Sequence, residues 1–341
     1  MTTDMQDESE IFRGTTTGST RLRDARSVRG TPKAGMPAFV LGEELADIAD
    51  TDPRIVVATA DLASANRTND FRDRHPDRFV NFSIAEKNMI TAAAGMASTG
   101  LIPYVATFAS FAAILGAEAI RTDCAYPKMK VRVLGSHSGM SMGFYGSSHH
   151  ALEDLAMLRC MADLTVVCAT DANHLRAILR ASVEHPRAMY IRLGRGRDPV
   201  VYDTVPEIEF GRALRLREGT DLTLITCGSQ VRASLDAAEA LQQQGISVRV
   251  VDMFTIDEMD REEIRAAADD TGAILTVEEH NVTGGLGSAV ADVLVDLPRI
   301  RFRKHGVPDK YVEVGPPAAL YAHYKLDAAG ITEVAKSFLE K

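Results

Sequence analysis

Long apolar segments and positive charge are both scarce in this chain of 341 residues. No run reaches the roughly eighteen consecutive apolar residues that a membrane-spanning helix needs, and residues 1–10 lack the basic and apolar regions of a secretory signal. The net charge of -9 argues against nucleic acid or an anionic membrane surface as a partner. We therefore expect a cytoplasmic protein that binds no nucleic acid and no membrane, and whose partners are small molecules or other proteins.

Cysteine is also scarce, with four residues in the whole chain. Their spacing fits neither a zinc site nor a disulfide framework, and each has apolar neighbours. We expect all of them to be small core residues, and we predict no metal site within this chain. They are Cys124, Cys160, Cys168 and Cys227.

Residues 1–34 contain hardly any apolar side chains, although Thr, Ser, Gly and Arg are frequent. Such a segment buries too little apolar surface to offset the entropy of ordering. We predict a disordered or partner-contacting tail.

Beyond Met36, helical and strand-like patterns alternate along the chain. The strands are rich in Val, Ile and Leu, which is typical of parallel sheets covered by helices on both faces. This pattern predicts an α/β fold with two doubly wound domains. We place the first domain at residues 35–197 and the second at 216–341, joined by a linker at 198–215 that has few helix signals.

Residues 78–100 place a carboxylate at the start of a helix. A strand-like run, Phe79–Phe82, precedes small and apolar residues at helical spacing, which predict a helix over Glu86–Ser98. Glu86 would then lie in the first helical turn after a strand, where open sheets usually bind ligands. A carboxylate is also favoured there by the helix dipole alone, so the position by itself leaves a purely structural role open.

The histidine loop, residues 135–150, follows a predicted strand and is rich in glycine. It holds His137, His149 and His150, three of the nine histidines in the chain. The last two precede a predicted helix over 151–160, whose dipole we expect to lower their pKa, and neutral imidazoles can exchange protons with a hydroxyl or a carbonyl. A hydrogen-bonded loop of solvated histidines is the structural alternative, and a metal site is less favoured because no carboxylate or cysteine stands at ligand spacing.

Two further patterns have structural explanations as well as functional ones. Phe108 and Phe111 share a face at the start of a predicted helix over 108–125, and such pairs belong to a core more often than to a stacking platform. The glycine-rich run at 284–288 is similar to a phosphate-binding turn, but it lacks the dinucleotide fingerprint and a following Lys-Ser or Lys-Thr. We interpret it as a tight structural turn.

Taken together, these stretches resemble the C-terminal half of transketolases over residues 36–340. Five motifs in the expected order carry the resemblance: Ala-Asp-Leu at 60–62, Ile-Ala-Glu at 84–86, Thr-Phe-Ala-Ser-Phe at 107–111, His137 through His149, and Glu-Glu-His-Asn-Val-Thr-Gly-Gly-Leu-Gly-Ser-Ala-Val at 278–290. The resemblance implies a pyrimidine-binding domain followed by a transketolase C-terminal domain. It also implies thiamine diphosphate as cofactor and transfer of a two-carbon ketol unit.

The resemblance assigns the cofactor contacts to particular residues. Glu86 stands at the position of the glutamate that hydrogen-bonds the aminopyrimidine and favours the imino tautomer, whose nitrogen removes the C2 proton. Phe108 and Phe111 match aromatic residues that enclose the pyrimidine ring, and the third such position is Ile114. Asp61 and Leu62, in the Ala-Asp-Leu motif, are the remaining implied cofactor contacts.

The resemblance also implies a substrate site, with three departures from the family pattern. His137 and His149 match histidines that contact the ketose, and Arg195 falls near an arginine that binds the substrate phosphate. Tyr145 stands where an aspartate reads the donor hydroxyl. A second phosphate-binding arginine aligns around Met36 and Pro37, and its serine partner aligns with Ala65, so we expect the sugar-phosphate pocket to differ from the usual one.

The sequence contains no Gly-Asp-Gly motif, which marks the diphosphate-binding domain of these enzymes. The resemblance is therefore to the C-terminal subunit of a split transketolase, and it implies an N-terminal partner subunit that holds the diphosphate and Mg²⁺. An α2β2 heterotetramer with the cofactor at the interface is expected. The alternatives are the β-subunit of a 2-oxoacid dehydrogenase E1 component, which would use a 2-oxo acid donor, and a non-catalytic subunit that only stabilises its partner.

Overall fold

The computed structural model describes residues 37–196, 198–297 and 300–340. The predicted tail at 1–34, Met36, the side chain of Pro37 and the predicted end of the first domain at Arg197 lie outside the described residues. The predictions made for them, and the predicted domain limits, stay predictions.

The first sheet has six parallel strands in the order β2-β1-β3-β4-β6-β5. Five of them are buried along their whole length and β2, at one edge, is partly exposed. Burial on both faces explains why these strands are almost continuously apolar. The strands are β1 (Ile55–Thr59), β2 (Phe79–Asn81), β3 (Ile102–Phe108), β4 (Arg132–Ser136), β5 (Leu164–Cys168) and β6 (Ala188–Arg192).

Helices cover this sheet. They are α1 (Pro37–Ala49), α2 (Asn69–Arg74), α3 (Glu86–Ser98), α4 (Ala109–Ile114), α5 (Ala117–Ala119), α6 (Asp154–Leu158) and α7 (Ala172–Ser182), with 3-10 turns at Pro76–Arg78 and Gly143–Ser148 and a π-helical turn at Ile120–Ala125. Helix α3 has the predicted bounds, and α2 was not predicted.

The prediction of one helix over 108–125 is wrong. Phe108 ends β3, α4 stops at Ile114, and the chain turns helical again only at α5. Gly116 lies at the break, where a β-carbon would come within 2.5 Å of both the Ala112 carbonyl oxygen and the side chain of Ile90 on α3. Glycine therefore allows close packing onto α3, at the expense of helix propensity.

The second sheet has the order β11-β10-β8-β9-β7, with β7 antiparallel to β9 and the other pairs parallel. The fold class is thus the predicted α/β type. The strands are β7 (Leu214–Arg217), β8 (Leu222–Thr226), β9 (Val248–Asp252), β10 (Ala273–Asn281) and β11 (Arg301–Val307), and the helices are α8 (Gln230–Gln242), α9 (Arg261–Thr271), α10 (Leu286–Leu294), α11 (Pro317–His323) and α12 (Ala328–Leu339).

Two elements of the second sheet differ from prediction. Strand β7 begins inside the predicted linker at 198–215, and β10 runs four residues beyond its predicted end at Val277. The longer β10 carries Glu278, Glu279 and His280 into the buried part of the sheet.

The two sheets share a packed boundary. The backbone N–H of Cys168 at the end of β5 donates to the carbonyl of Phe254 at 2.8 Å, and that of Ile256 donates to Val166 at 2.8 Å. Cys124, Cys168 and Cys227 are buried as predicted, whereas Cys160 is exposed and the prediction for it is wrong. None of the described helices combines the length and apolar character that crossing a membrane requires.

Candidate active site

Four loops meet at the carboxyl edge of the first sheet. Strands β1 to β4 are neighbours, with Thr59 paired to Asn81 and Ala106, and Phe108 paired to Ser136. Because parallel strands end at the same edge of a sheet, the predicted site residues that follow these strands come together there. They are Asp61, Glu86, Phe108 and His137.

Glu86 is the first residue of α3 and is only 5% exposed. Within the described residues, its one hydrogen bond is from the Thr107 hydroxyl to Oε1 at a long 3.5 Å. A carboxylate has room for several donors, and burying one with few partners is costly. The helix N-terminus offsets part of that cost, but the carboxylate keeps capacity for a further donor.

Aromatic rings surround the next part of the edge. The centroid of the buried Phe108 ring lies 5.6 Å from that of Phe111 and 4.5 Å from that of His137. The His149 ring lies 5.2 Å from Phe111, and Tyr145 lies 5.0 Å from His149. The structure therefore brings these five predicted residues into one cluster, although Phe108 stands on a strand and Phe111 on a helix.

Three other predicted residues lie around this cluster. Ile114 is at the far end of α4 and is 54% exposed. Asp61 is exposed with a left-handed φ of 60°, and its backbone N–H donates to Asn81 Oδ1 at 3.0 Å. The Leu62 N–H donates to the Thr59 hydroxyl at 3.2 Å, which fixes the backbone of this turn.

His137 is held in one orientation by its neighbours. Its φ is 58°, and its backbone N–H donates to Gly194 at 3.3 Å. The Ser136 hydroxyl lies 2.9 Å from His137 Nδ1 and donates its proton to Asn66 Oδ1 at 2.7 Å. With that proton already used, Nδ1–H of His137 donates to Ser136, and Nε2 is left as the acceptor.

His149 repeats this arrangement. The Ser148 hydroxyl lies 2.9 Å from His149 Nδ1 and 3.3 Å from the Tyr145 carbonyl, which can take its proton. Each site histidine thus follows a serine that contacts its Nδ1. Sequence reasoning missed both serines, although a hydroxyl directly before a candidate histidine is a visible signal.

Burial is the main influence on the site histidines. It lowers the pKa of His137 to about 3, helped by the positive charges of Arg195 and Arg67. Burial also lowers the pKa of His149 and of the neighbouring His150. The predicted cause, a helix dipole, is wrong because α6 begins only at Asp154.

Two arginines approach this part of the site. Arg195 Nη1 contacts the carbonyl of Ser141, within the histidine loop, at 3.4 Å. Arg67 was not among the predicted site residues. It directly follows Asn66, which contacts Ser136, and its charge acts on His137. Among the residues described, no group of three or more His, Cys, Asp or Glu side chains is arranged to hold a metal ion.

The glycine-rich turn at 284–288 is the tight structural turn that the sequence predicts. The backbone N–H groups of Leu286 and Gly287, at the start of α10, donate to the Glu278 carboxylate at 2.7 and 2.9 Å. A β-carbon on Gly285 would lie 2.2 Å from the same carboxylate. A side chain of the protein thus occupies the place that a phosphate would take, and burial raises the pKa of Glu278 to about 7.

Comparisons with known proteins match most of the chain. The family described as "Transketolase, pyrimidine binding domain" matches residues 38–199, and "Transketolase, C-terminal domain" matches 211–331. One of the two subunits of the apulose-4-phosphate transketolase of Phocaeicola vulgatus is 37% identical, over 88% of this chain and 96% of its own length. The 6-deoxy-6-sulfo-D-fructose transketolase subunit of Clostridium sp. strain MSTE9 is 34% identical, over 87% of this chain and 92% of its own length.

A solved structure is similar over the same extent. It is described as a split gene transketolase, inactive beta4 tetramer, and it is 38% identical with a TM-score of 0.82. The match covers 90% of this chain and 99% of that one. Sequence and fold therefore agree over both sheets.

Proposed function

We propose, from the premise that this chain belongs to the transketolase family, that it is the pyrimidine-binding subunit of a heteromeric thiamine-diphosphate-dependent transketolase. The reaction is transfer of a two-carbon ketol unit from a donor to an acceptor. One observation carries the proposal: the buried Glu86 carboxylate, with a single long hydrogen bond among the described residues, lies at the same sheet edge as the Phe108 and Phe111 rings.

These residues fit the pyrimidine ring of the cofactor. Glu86 has an unused acceptor for a ring N–H, and Phe108 and Phe111 supply apolar surface for the ring faces. When bound, the cofactor supplies the carbon nucleophile that attacks the donor carbonyl. Glu86 would hold a proton on the ring nitrogen, because a buried carboxylate stabilises positive charge more strongly than a solvated one does. Asp61, Leu62 and Ile114 would complete the contacts.

The two histidines suit different tasks. With its pKa lowered to about 3, His137 is neutral at pH 7 and is too weak a base to remove a proton efficiently. Its Nε2 would instead accept a hydrogen bond from a donor hydroxyl and orient it. His149 is less deeply buried, so we assign the proton exchange to His149.

Arg195 and Arg67 point to an anionic group on the substrate. Both charges act on His137, and a guanidinium is well shaped for phosphate or sulfonate oxygens. Two relatives are named for substrates with such groups, a 4-phosphate and a 6-sulfo sugar. The arginine and serine that the family uses for phosphate are replaced here, so Arg67 is our candidate for their function, and Tyr145 would border the donor.

A second subunit is needed for the other half of the cofactor site. No metal-binding cluster exists in the parts of the chain that are described, so we propose that the diphosphate and Mg²⁺ bind to an N-terminal transketolase subunit in an α2β2 heterotetramer. The similar solved structure, whose title calls it inactive, supports dependence on a partner. Exposed apolar side chains near the site also support it: Ile84, Ile114, Leu115, Phe144 and Tyr145.

The proposal is tested by combining the chain with a subunit that carries the Gly-Asp-Gly half, thiamine diphosphate and Mg²⁺. Cleavage of hydroxypyruvate, of a ketose phosphate and of pyruvate is then compared. We expect ketol donors to be cleaved by the pair and by neither subunit alone. Preference for pyruvate would favour the 2-oxoacid dehydrogenase alternative, which the comparisons do not favour. No cleavage of any donor by the pair would favour a non-catalytic subunit.

A further inference from the structure

We infer that Glu279, on the second sheet, is a positioning residue that sets the geometry of the histidine loop in the first. The inference rests on the proposed function for its catalytic consequence, but the geometry that carries it is independent of the cofactor. Glu279 lies away from the ring cluster and acts through the backbone of the loop.

The Glu279 carboxylate joins three separate segments. Its Oε1 accepts the backbone N–H of Met140 at 2.7 Å and the Tyr321 hydroxyl at 2.5 Å, and its Oε2 accepts the Ser229 hydroxyl at 2.6 Å. Glu279 is buried, where charged hydrogen bonds are strong and loss of a partner is costly. Met140 belongs to the histidine loop, so this carboxylate ties the loop to the second sheet.

The loop is shaped around this carboxylate. Gly139 has a φ of 59°, and a β-carbon on it would lie 2.0 Å from Cδ of Glu279. Gly139 also pairs with Ala151 in both directions, N–H to O at 3.1 and 3.0 Å, which closes the loop at its base. A residue with a side chain could not keep both the pairing and the contact with Glu279.

Arg192 holds the other side of the same base. Its Nη2 donates to the Ala151 carbonyl at 3.0 Å and to the Glu279 carbonyl at 2.9 Å, and its Nε donates to Asp154 at 2.8 Å. Both chain segments at the base of the loop are therefore fixed by buried charged groups. Glu279 contributes its side chain to one segment and its carbonyl to the support of the other.

The site histidines flank this base. His137 lies two residues before Gly139, and His149 lies two residues before Ala151. Both rings contact Phe108, at 4.5 and 5.9 Å between centroids. Their separation therefore depends on how the base is held, and small shifts of reacting groups are expensive in rate. The second sheet thus acts in catalysis by fixing the first sheet's histidines.

The first test follows the histidines by NMR in the isolated chain with isotope-labelled imidazole carbons. In the wild type we expect His137 to stay neutral down to about pH 3. In Glu279→Ala the released loop should admit water, and the pKa of His137 should rise by about one unit or more toward its ordinary value near 6.5. Glu278→Ala is the matched control, because Glu278 is an adjacent buried glutamate that binds α10 and not the loop; it should leave His137 unchanged.

Two further variants keep the test decisive. Glu279→Gln retains an oxygen for Met140 and Tyr321 and offers an amide to Ser229, so it should restore the wild-type titration. Tyr321→Phe removes one bond to the carboxylate and should shift His137 in the same direction as Glu279→Ala, by less, even if Glu279→Ala does not fold. An unchanged His137 titration in the folded variants would overturn the inference.

The assembled pair supplies a second readout. In Glu279→Ala, kcat for donor cleavage should fall about 10- to 100-fold, while exchange of the cofactor C2 proton with deuterium, which depends on Glu86, should stay at the wild-type rate. Equal loss of both activities, or no loss of cleavage, would refute a positioning role. If the wild-type pair cleaves no donor while the NMR shifts occur as expected, the proposed function fails and the loop geometry stands.

Discussion

Replacing Glu86 by Gln should separate the functional explanation of this residue from the structural one. The substitution keeps the size and shape of the side chain and an oxygen for the Thr107 hydroxyl. It removes the negative charge, and with it the ability to hold a proton on the cofactor's ring nitrogen. The two explanations then predict opposite balances between activity and stability.

If Glu86 activates the cofactor, Glu86→Gln should slow C2 proton exchange by about 10²- to 10³-fold, the usual effect of losing one preorganised electrostatic group. Stability should move the other way. Removing a buried charge with one long hydrogen bond relieves about 1–3 kcal/mol, and the helix N-terminus loses about 0.3–1 kcal/mol. The free energy of unfolding of the isolated chain should therefore rise by about 1 kcal/mol, or about 2 °C in Tm.

The assay measures C2 exchange in the assembled pair and thermal unfolding of the isolated chain. Glu262→Gln is the control, because Glu262 also lies in a first helical turn, on α9, with its side chain 78% exposed. It should change neither quantity appreciably. If Glu86→Gln lowers Tm by several degrees and leaves exchange intact, then Glu86 is only a helix-start carboxylate and the proposed function fails.

Three other substitutions have defined outcomes. Arg192→Met should destabilise the chain by about 3–5 kcal/mol in denaturant titration, because it leaves the buried Asp154 carboxylate unpaired. Burial raises the pKa of Asp252 to about 7, so the folded wild type keeps a proton that the unfolded chain releases near pH 4 and loses stability as pH rises between these values. In Asp252→Asn, Tm should fall less over that pH range. Arg67→Met and Arg195→Met should each raise KM for a ketose phosphate about tenfold or more and leave KM for an uncharged ketose nearly unchanged.

Local patterns account for what the sequence predicts well. Helix α3 has its predicted bounds because small and apolar residues repeat at helical spacing from Glu86 to Ser98. The cluster at the carboxyl edge follows from topology, since successive parallel strands end on one side. Neither argument needs contacts between distant segments, and so both succeed without coordinates.

Distant contacts account for what the sequence does not predict. The break at Gly116 depends on how closely that segment packs on α3. Strand β7 is short and partly exposed and pairs antiparallel at an edge, so its four residues carry little pattern. The cause of the lowered pKa of His149 was mistaken because it needed the true start of α6 and the burial of the loop. Glu279 escaped notice because its partners lie far from it along the chain.

Three buried glutamates show why Glu86 differs from an ordinary buried acid. Glu278 accepts two backbone N–H groups, and Glu279 accepts three donors from separate segments. Within the described ranges Glu86 accepts one, at 3.5 Å. A fold that supplies full sets of donors to two buried carboxylates and not to the third has left that third carboxylate for a donor from outside the chain. The unmet demand of Glu86, rather than its place at a helix start, is therefore the physical argument for a ligand at this edge of the sheet.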